Sequence, residues 1–138
     1  ELGAEYMLDS GFRERLGKGL QPLCGDCVLV ETSYFSPPNN LDELLYDVSL
    51  AGYTPVIAHP ERYLYMRYGD YCELKDNICP CKEVLLNVAF KLKNAETLLE
   101  KGMYDMVGTD LHNLETFGKW IGNVRLTDKL AREIMSLR

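Results

Sequence analysis

The nine residues from Pro55 to Tyr63, PVIAHPERY, constrain the chain more than any other stretch. Val56, Ile57 and Ala58 read as the end of a buried strand, because a short apolar run bounded by turn residues fits a strand covered on both faces. Pro60 lacks an N–H and disfavours helical geometry at the residue before it, so the strand stops at His59. His59, Glu61 and Arg62 then fall at a strand mouth, where barrels and open α/β sheets place their chemistry.

The flanking pattern supplies a sheet for that strand. Cys27 to Val30 is a compact apolar run ending in Glu31-Thr32-Ser33, and Glu31 is expected to face a ligand mouth, since burying it unpaired is costly. Pro37-Pro38-Asn39-Asn40 is a turn. Asn40 is expected to cap a helix with Glu43 three residues on, as in a capping box, and Leu41, Leu44, Leu45 and Val48 make a stripe of helical period that Gly52 ends. Val28 to Ala58 is therefore predicted to be a β-α-β unit carrying Glu31 and His59 on one rim of a parallel sheet.

Before this unit, Glu1 to Leu8 reads as a short strand or a helix entry, and Phe12 to Leu20 as a loop with one helical turn. After it, Lys82 to Lys101 reads as one long helix striped by Leu85, Leu86, Ala89, Leu92, Ala95 and Leu99, with Gly102 as its stop. Asp105-Met106-Val107 reads as a short strand opening into Gly108 to Asn113. Thr127 to Leu137 reads as a closing helix capped by Thr127.

A chain of 138 residues suits one modest domain and falls short of the roughly 250 residues of a complete eight-stranded α/β barrel. Its formal charge of -6 and pI near 4.9, with no block of Lys and Arg, disfavour a nucleic-acid-binding surface. No apolar run is long enough for a bilayer span and no secretory leader is visible, so a cytoplasmic protein is expected. Five cysteines cannot all pair within the chain. Cys24 with Cys27 has redox or zinc spacing and Cys79 with Cys81 adds two more thiols, but nothing fixes the distance between the two pairs, and ordinary reduced thiols are preferred.

Three strand-end clusters carry candidate chemistry: Glu31; His59 with Glu61 and Arg62; and Asp110 with His112. Imidazole and carboxylate suit a borderline or hard divalent ion, and Asp-x-His sends two side chains to one face of an extended segment. Both histidines of the chain lie at these junctions. The residue pattern favours a metal site, and local hydrogen bonding by His59 and His112 stays open as the alternative.

The segments AEYMLD (4 to 9), VLVETSY (28 to 34), GYTPVIAHPERYLY (52 to 65) and YDMVGTDLHN (104 to 113) resemble the PHP-type protein tyrosine phosphatases of bacterial capsular and exopolysaccharide loci, in the polymerase and histidinol phosphatase superfamily. The match runs through nearly the whole chain in order. The resemblance implies a single PHP-like domain over residues 1–138 with a shortened, distorted TIM-like α/β barrel of parallel strands and outer helices. It implies a divalent metal cluster, with manganese preferred and iron, zinc or magnesium as alternatives. It also implies a substrate in the tyrosine-rich tail of a polysaccharide co-polymerase kinase, a tyrosine autokinase.

By the same resemblance Glu5 would bridge two metals, Glu31 and His59 would join it around one of them, and Asp110 and His112 would reach ions of the cluster. Arg62 would orient the phosphate, its planar fork suiting two phosphate oxygens. The plainer readings are a solvated Glu5, an Arg62 paired only with Glu61 or Asp70, and packing roles for Tyr63 and Tyr65. The chemistry implied is metal-assisted hydrolysis. No cysteine opens a Cys-x5-Arg phosphate loop: the residues six beyond the five cysteines are Val30, Ser33, Ile78, Leu85 and Asn87.

The family's early His-x-His and a further histidine before AEYML have no counterpart here. An expected strand and loop between Leu74 and the helix near Lys82 are reduced to KDNICPCKEV. A barrel lacking these strands would expose an edge, so self-association is a further expectation. Two other readings stand beside the phosphatase: an inactive PHP-like remnant that binds a partner, and another phosphoesterase of the superfamily such as a histidinol-phosphate type.

Overall fold

Strand β3 (Thr54–Ala58) is the centre of the molecule, buried from Pro55 to Ala58 because both faces are covered. The computed structural model describes residues 3–77, 84–88, 93–108, 110, 112, 131, 132 and 135. Around β3 lie β1 (Glu5–Met7), β2 (Cys27–Glu31), β4 (Leu85–Val88) and β5 (Met106–Val107), all parallel, in the spatial order β1-β2-β3-β4-β5. Strands that neighbour one another in chain order are the arrangement of a singly wound sheet. Helices α1 (Phe12–Gly17), α2 (Leu41–Leu50), α3 (Tyr68–Asn77) and α4 (Lys93–Glu100) occupy the connections.

The sequence explains these elements. In β2 the pattern alternates, with Val28 and Val30 fully buried between half-buried neighbours. Helix α2 sends Leu44, Leu45 and Val48 into the core, where they join Phe12 of α1 and Leu86 of β4. Gly52, at φ +91°, makes the reversal into β3, a conformation that a side chain would strain. The register sets Glu31 opposite Met7 and Ala58 opposite Asn87, so Glu31 and His59 leave the sheet at the same rim. The expected β-α-β unit from Val28 to Ala58 is present.

Three local expectations are corrected. The stretch from Lys82 to Lys101 is not one helix: Leu85–Val88 is strand β4, paired with β3 and β5, and only Lys93–Glu100 is helical. Leu85, Leu86 and Val88 fit a helical stripe and a strand covered on both faces equally well, and β3 offers an edge that the strand satisfies. A strand thus stands between Leu74 and α4. Asn40 precedes α2 but makes no side-chain cap bond; its carbonyl accepts from Leu44 N at 3.0 Å, while Glu43 pairs with Arg13. Phe12–Gly17 forms a short helix, with Phe12 as its buried anchor. The predicted helix from Thr127 to Leu137 lies outside the described residues except for Ala131, Arg132 and Met135, which are helical.

In a flat sheet the edges β1 and β5 would stand about 19 Å apart, four steps of roughly 4.8 Å. Donor atoms of Glu5 and Asp110 nevertheless lie within 4.8 Å of each other. The sheet is therefore not flat, and its twist lets Glu5 and Asp110 meet at this rim. Among the described residues β1 and β5 are not hydrogen-bonded to each other, so the architecture is a parallel α/β sheet with outer helices.

Candidate metal and phosphate site

The rim gathers side chains from β1, from the end of β2, and from just beyond β3 and β5. His59 Nε2 lies 3.1 Å from a carboxylate oxygen of Glu5 and 3.4 Å from one of Glu31. These three residues, and separately Glu5, Asp110 and His112, each offer ligand atoms within 4.8 Å of one another. His59 is 2% exposed, whereas Glu5 and Glu31 are partly open. His112 is largely exposed and meets the second oxygen of Asp110 at 3.0 Å. All five residues expected to hold metal are therefore close together.

His59 and Asp110 both take positive φ, +34° and +49°, the only described residues other than glycine to do so. That conformation is costly for a side-chain-bearing residue and persists where the surroundings impose it. A set of buried tyrosines supplies the imposition around His59. Tyr63 donates to the Ala58 carbonyl at 3.0 Å and accepts from Thr32 N at 3.3 Å. Tyr71 donates to the Pro60 carbonyl at 2.5 Å, and Tyr104 to the buried Glu61 carboxylate at 3.1 Å. The 3-10 turn Pro60–Arg62 is thus held by Tyr71 from α3 and by Tyr104 from the segment before β5, while Tyr63 ties the end of the turn back to β3 and Thr32. Burial pushes all three phenols well above their usual range, so they stay neutral donors.

Arg62 pairs with Asp110 and donates to the Tyr34 hydroxyl at 3.3 Å. Partial burial weighs against its charge, but the bonds to Tyr34 and Asp110 outweigh it and raise Arg62 above its usual range. The plainer reading, an Arg62 paired only with Glu61 or Asp70, does not hold, because Arg62 pairs with Asp110, while Asp70 accepts from Arg67 N at 2.5 Å and Glu61 from Tyr104. Tyr34 was not among the sequence candidates; its only signal was its position three residues past Glu31. Tyr65 stacks on Tyr63 and its hydroxyl is bonded to Thr32, a packing and bracing role.

The donor set fits a divalent cation. Burial first, and the neighbouring Glu5 carboxylate second, push Glu31 above the usual carboxylate range, with His59 opposing. A cation between the carboxylates relieves that repulsion. His59 Nδ1 is buried without a hydrogen-bond partner among the described residues, which leaves Nε2, directed at the two carboxylates, as the ring's polar engagement. Oxygen and imidazole donors of this kind suit several divalent metals and do not select one. Among the described residues no cysteine joins these ligand groups: Cys24 and Cys27 flank a tight turn, Cys24, Cys27 and Cys72 form no disulfide, and Cys79 and Cys81 lie outside the described residues. No helix of the described residues is long and apolar enough to cross a membrane.

Comparison with known proteins agrees with this geometry. The chain is 29% identical over 100 residues to the tyrosine-protein phosphatase YwqE of Bacillus subtilis (strain 168), covering 64% of this chain and 38% of YwqE. Its fold matches, with TM-score 0.63 and 25% identity, a crystal structure from a study of YwqE from Bacillus subtilis and CpsB from Streptococcus pneumoniae, described as unique metal-dependent tyrosine phosphatases. That match covers 83% of this chain and 50% of the other. The chain spans half the length of these relatives or less. The family model described as "Capsular polysaccharide synthesis, CpsB/CapC" matches residues 1–118, and the chain belongs to this family of PHP-superfamily tyrosine-phosphatase-like proteins.

Proposed function

We propose that this chain is a metal-dependent phosphotyrosine phosphatase domain acting in the cytoplasm on the tyrosine-rich tail of a polysaccharide co-polymerase kinase. The observation that carries the reading is the convergence of Glu5, Glu31, His59, Asp110 and His112 beside the Arg62 guanidinium. Glu5, Glu31 and His59 would hold one cation, and Glu5, Asp110 and His112 a second, with Glu5 shared. Manganese is the proposed metal. Bound divalent cations supply Lewis-acid charge for phosphoester hydrolysis. The residues themselves do the rest: Arg62 offers its planar donor fork to the phosphoryl oxygens, and the tyrosine-held turn keeps that fork and His59 in fixed relation. The residue pattern requires no thiol.

One observation favours a second reading, a domain that binds phosphoesters without turning them over. The Arg62 fork is engaged by Asp110, the group a phosphate must displace. Hydrolysis of a phosphotyrosine peptide during a manganese titration, with His59→Ala beside the wild type, separates the two. Metal-dependent turnover lost in His59→Ala is expected. A folded protein that binds the peptide and shows no turnover with manganese refutes the enzymatic reading and leaves the binding one.

A further inference from the structure

The phosphate-binding reading assigns no group to the alcohol side of the ester, yet one residue at the rim meets every requirement for contacting it. Tyr34 is 37% exposed, and its ring stands edge-on to His59 with centroids 5.5 Å apart. The Arg62 guanidinium carbon lies 6.0 Å from the ring centroid, within the range of a cation–π contact, while the Tyr34 hydroxyl accepts from Arg62 Nη1. The same ring therefore touches the metal-facing histidine and the arginine proposed to hold phosphate.

The surroundings of Tyr34 are apolar where they face solvent. Leu64 N donates to the Tyr34 carbonyl at 2.9 Å, tying the segment after β2 to the segment after the HPER turn. This tie sets Leu64, 72% exposed, and Phe35, 78% exposed, beside Tyr34. Large apolar side chains at a polar site's mouth leave their surface in water unless a ligand covers them. Because the Tyr34 ring adjoins the Arg62 guanidinium, the aromatic group of an ester held at Arg62 would gain an edge or offset contact there that an alkyl group cannot match.

Resting on the phosphoester reading above, we propose that Tyr34 is the specificity-determining residue of this site, selecting aryl over alkyl phosphoesters. Its ring, with Phe35 and Leu64 beside it, receives the ester's aromatic group, and its hydroxyl positions Arg62. The two functions separate by substitution. Tyr34→Phe keeps the ring and removes the hydroxyl, whereas Tyr34→Ala removes both.

Calorimetric titration of the manganese-loaded protein with benzylphosphonate and propylphosphonate tests this without requiring turnover, because neither compound is hydrolysed. Wild type is expected to favour the benzyl compound about tenfold. Tyr34→Phe is expected to weaken both ligands by a similar factor and keep the preference; Tyr34→Ala is expected to bring the two affinities within about twofold of each other. A wild type that binds both equally, or a folded Tyr34→Ala protein with the wild-type preference, overturns the assignment of Tyr34. Binding of neither phosphonate by wild type overturns the phosphoester reading and this assignment together.

Discussion

Replacing Glu31 by Gln should make the metal-free protein more stable and remove its response to metal. The carboxylates of Glu5 and Glu31 have oxygens within 4.8 Å of each other, a separation at which two unit charges repel by about 3.5 kcal/mol at an effective dielectric constant of 20. His59 opposes this repulsion and solvent reaches both carboxylates, so screening leaves a net penalty on the order of 1 kcal/mol. The sign follows from Glu31 titrating above the usual carboxylate range, through burial and then Glu5. A group raised in this way is charged at a cost in the folded state at neutral pH, and a neutral isostere removes that cost. For a chain of this size 1 kcal/mol corresponds to roughly 3–5 °C in melting temperature. Manganese at a hundred times its dissociation constant adds about 2.7 kcal/mol, or roughly 10 °C, to the wild type. Scanning calorimetry in EDTA and in manganese reads both effects. Glu31→Gln should melt higher than wild type in EDTA and gain little from manganese. A variant that melts lower in EDTA and keeps the full manganese shift would refute the account of this cluster.

Arg62→Ala leaves the Asp110 carboxylate, 7% exposed, without its guanidinium; urea unfolding should register a loss of about 2 kcal/mol, and phosphonate binding should vanish. Unaltered binding in that variant would remove Arg62 from the phosphate site. Because burial raises the phenols of Tyr63, Tyr71 and Tyr104 in the folded state, the unfolded chain loses those protons first as pH rises past about 10. Stability is therefore intact below that pH and should fall above it by up to ~4 kcal/mol per pH unit for the three groups together. Tyr104→Phe should flatten the alkaline slope by about a third while costing about 1–3 kcal/mol at neutral pH, where Glu61 loses a donor; an unchanged slope by circular dichroism would contradict the titration argument. Leu45→Ala, at a fully buried position, should cost about 2–5 kcal/mol without altering the manganese-induced shift, which separates packing from ligation.

Where the sequence carried its own punctuation, it was read well. His59-Pro60 ends β3, Gly52 turns α2 back into the sheet, and the Asp110-x-His112 pair follows a strand of two residues. These features act through local sterics and periodicity, which need no knowledge of the rest of the chain. Strand β4 is not legible locally, because Leu85 to Val88 satisfies the helical and the strand period alike, and only an available edge on β3 decides between them. Asn40 had the right chemistry for a cap, yet its side chain makes no cap bond; a residue type permits such a bond and local geometry decides whether it forms.

The sequence by itself determined the parallel β-α-β core, the strand-end positions of Glu31, His59 and Asp110, and the absence of a cysteine phosphate loop, because these depend on spacing along the chain. Only the tertiary structure decided that Glu5 at one edge of the sheet and Asp110 beyond the other come within 4.8 Å. It alone paired Arg62 with Asp110 and Tyr34, and it brought Tyr71 and Tyr104 to the Pro60–Arg62 turn while Tyr63 ties the end of that turn to β3. The physical reason is the same in each case. Apart from the shorter links of Tyr63 to Ala58 and Tyr71 to Pro60, these contacts join residues dozens of positions apart, and their geometry is set by how the sheet twists and how the helices pack on it, quantities that no local window of residues contains.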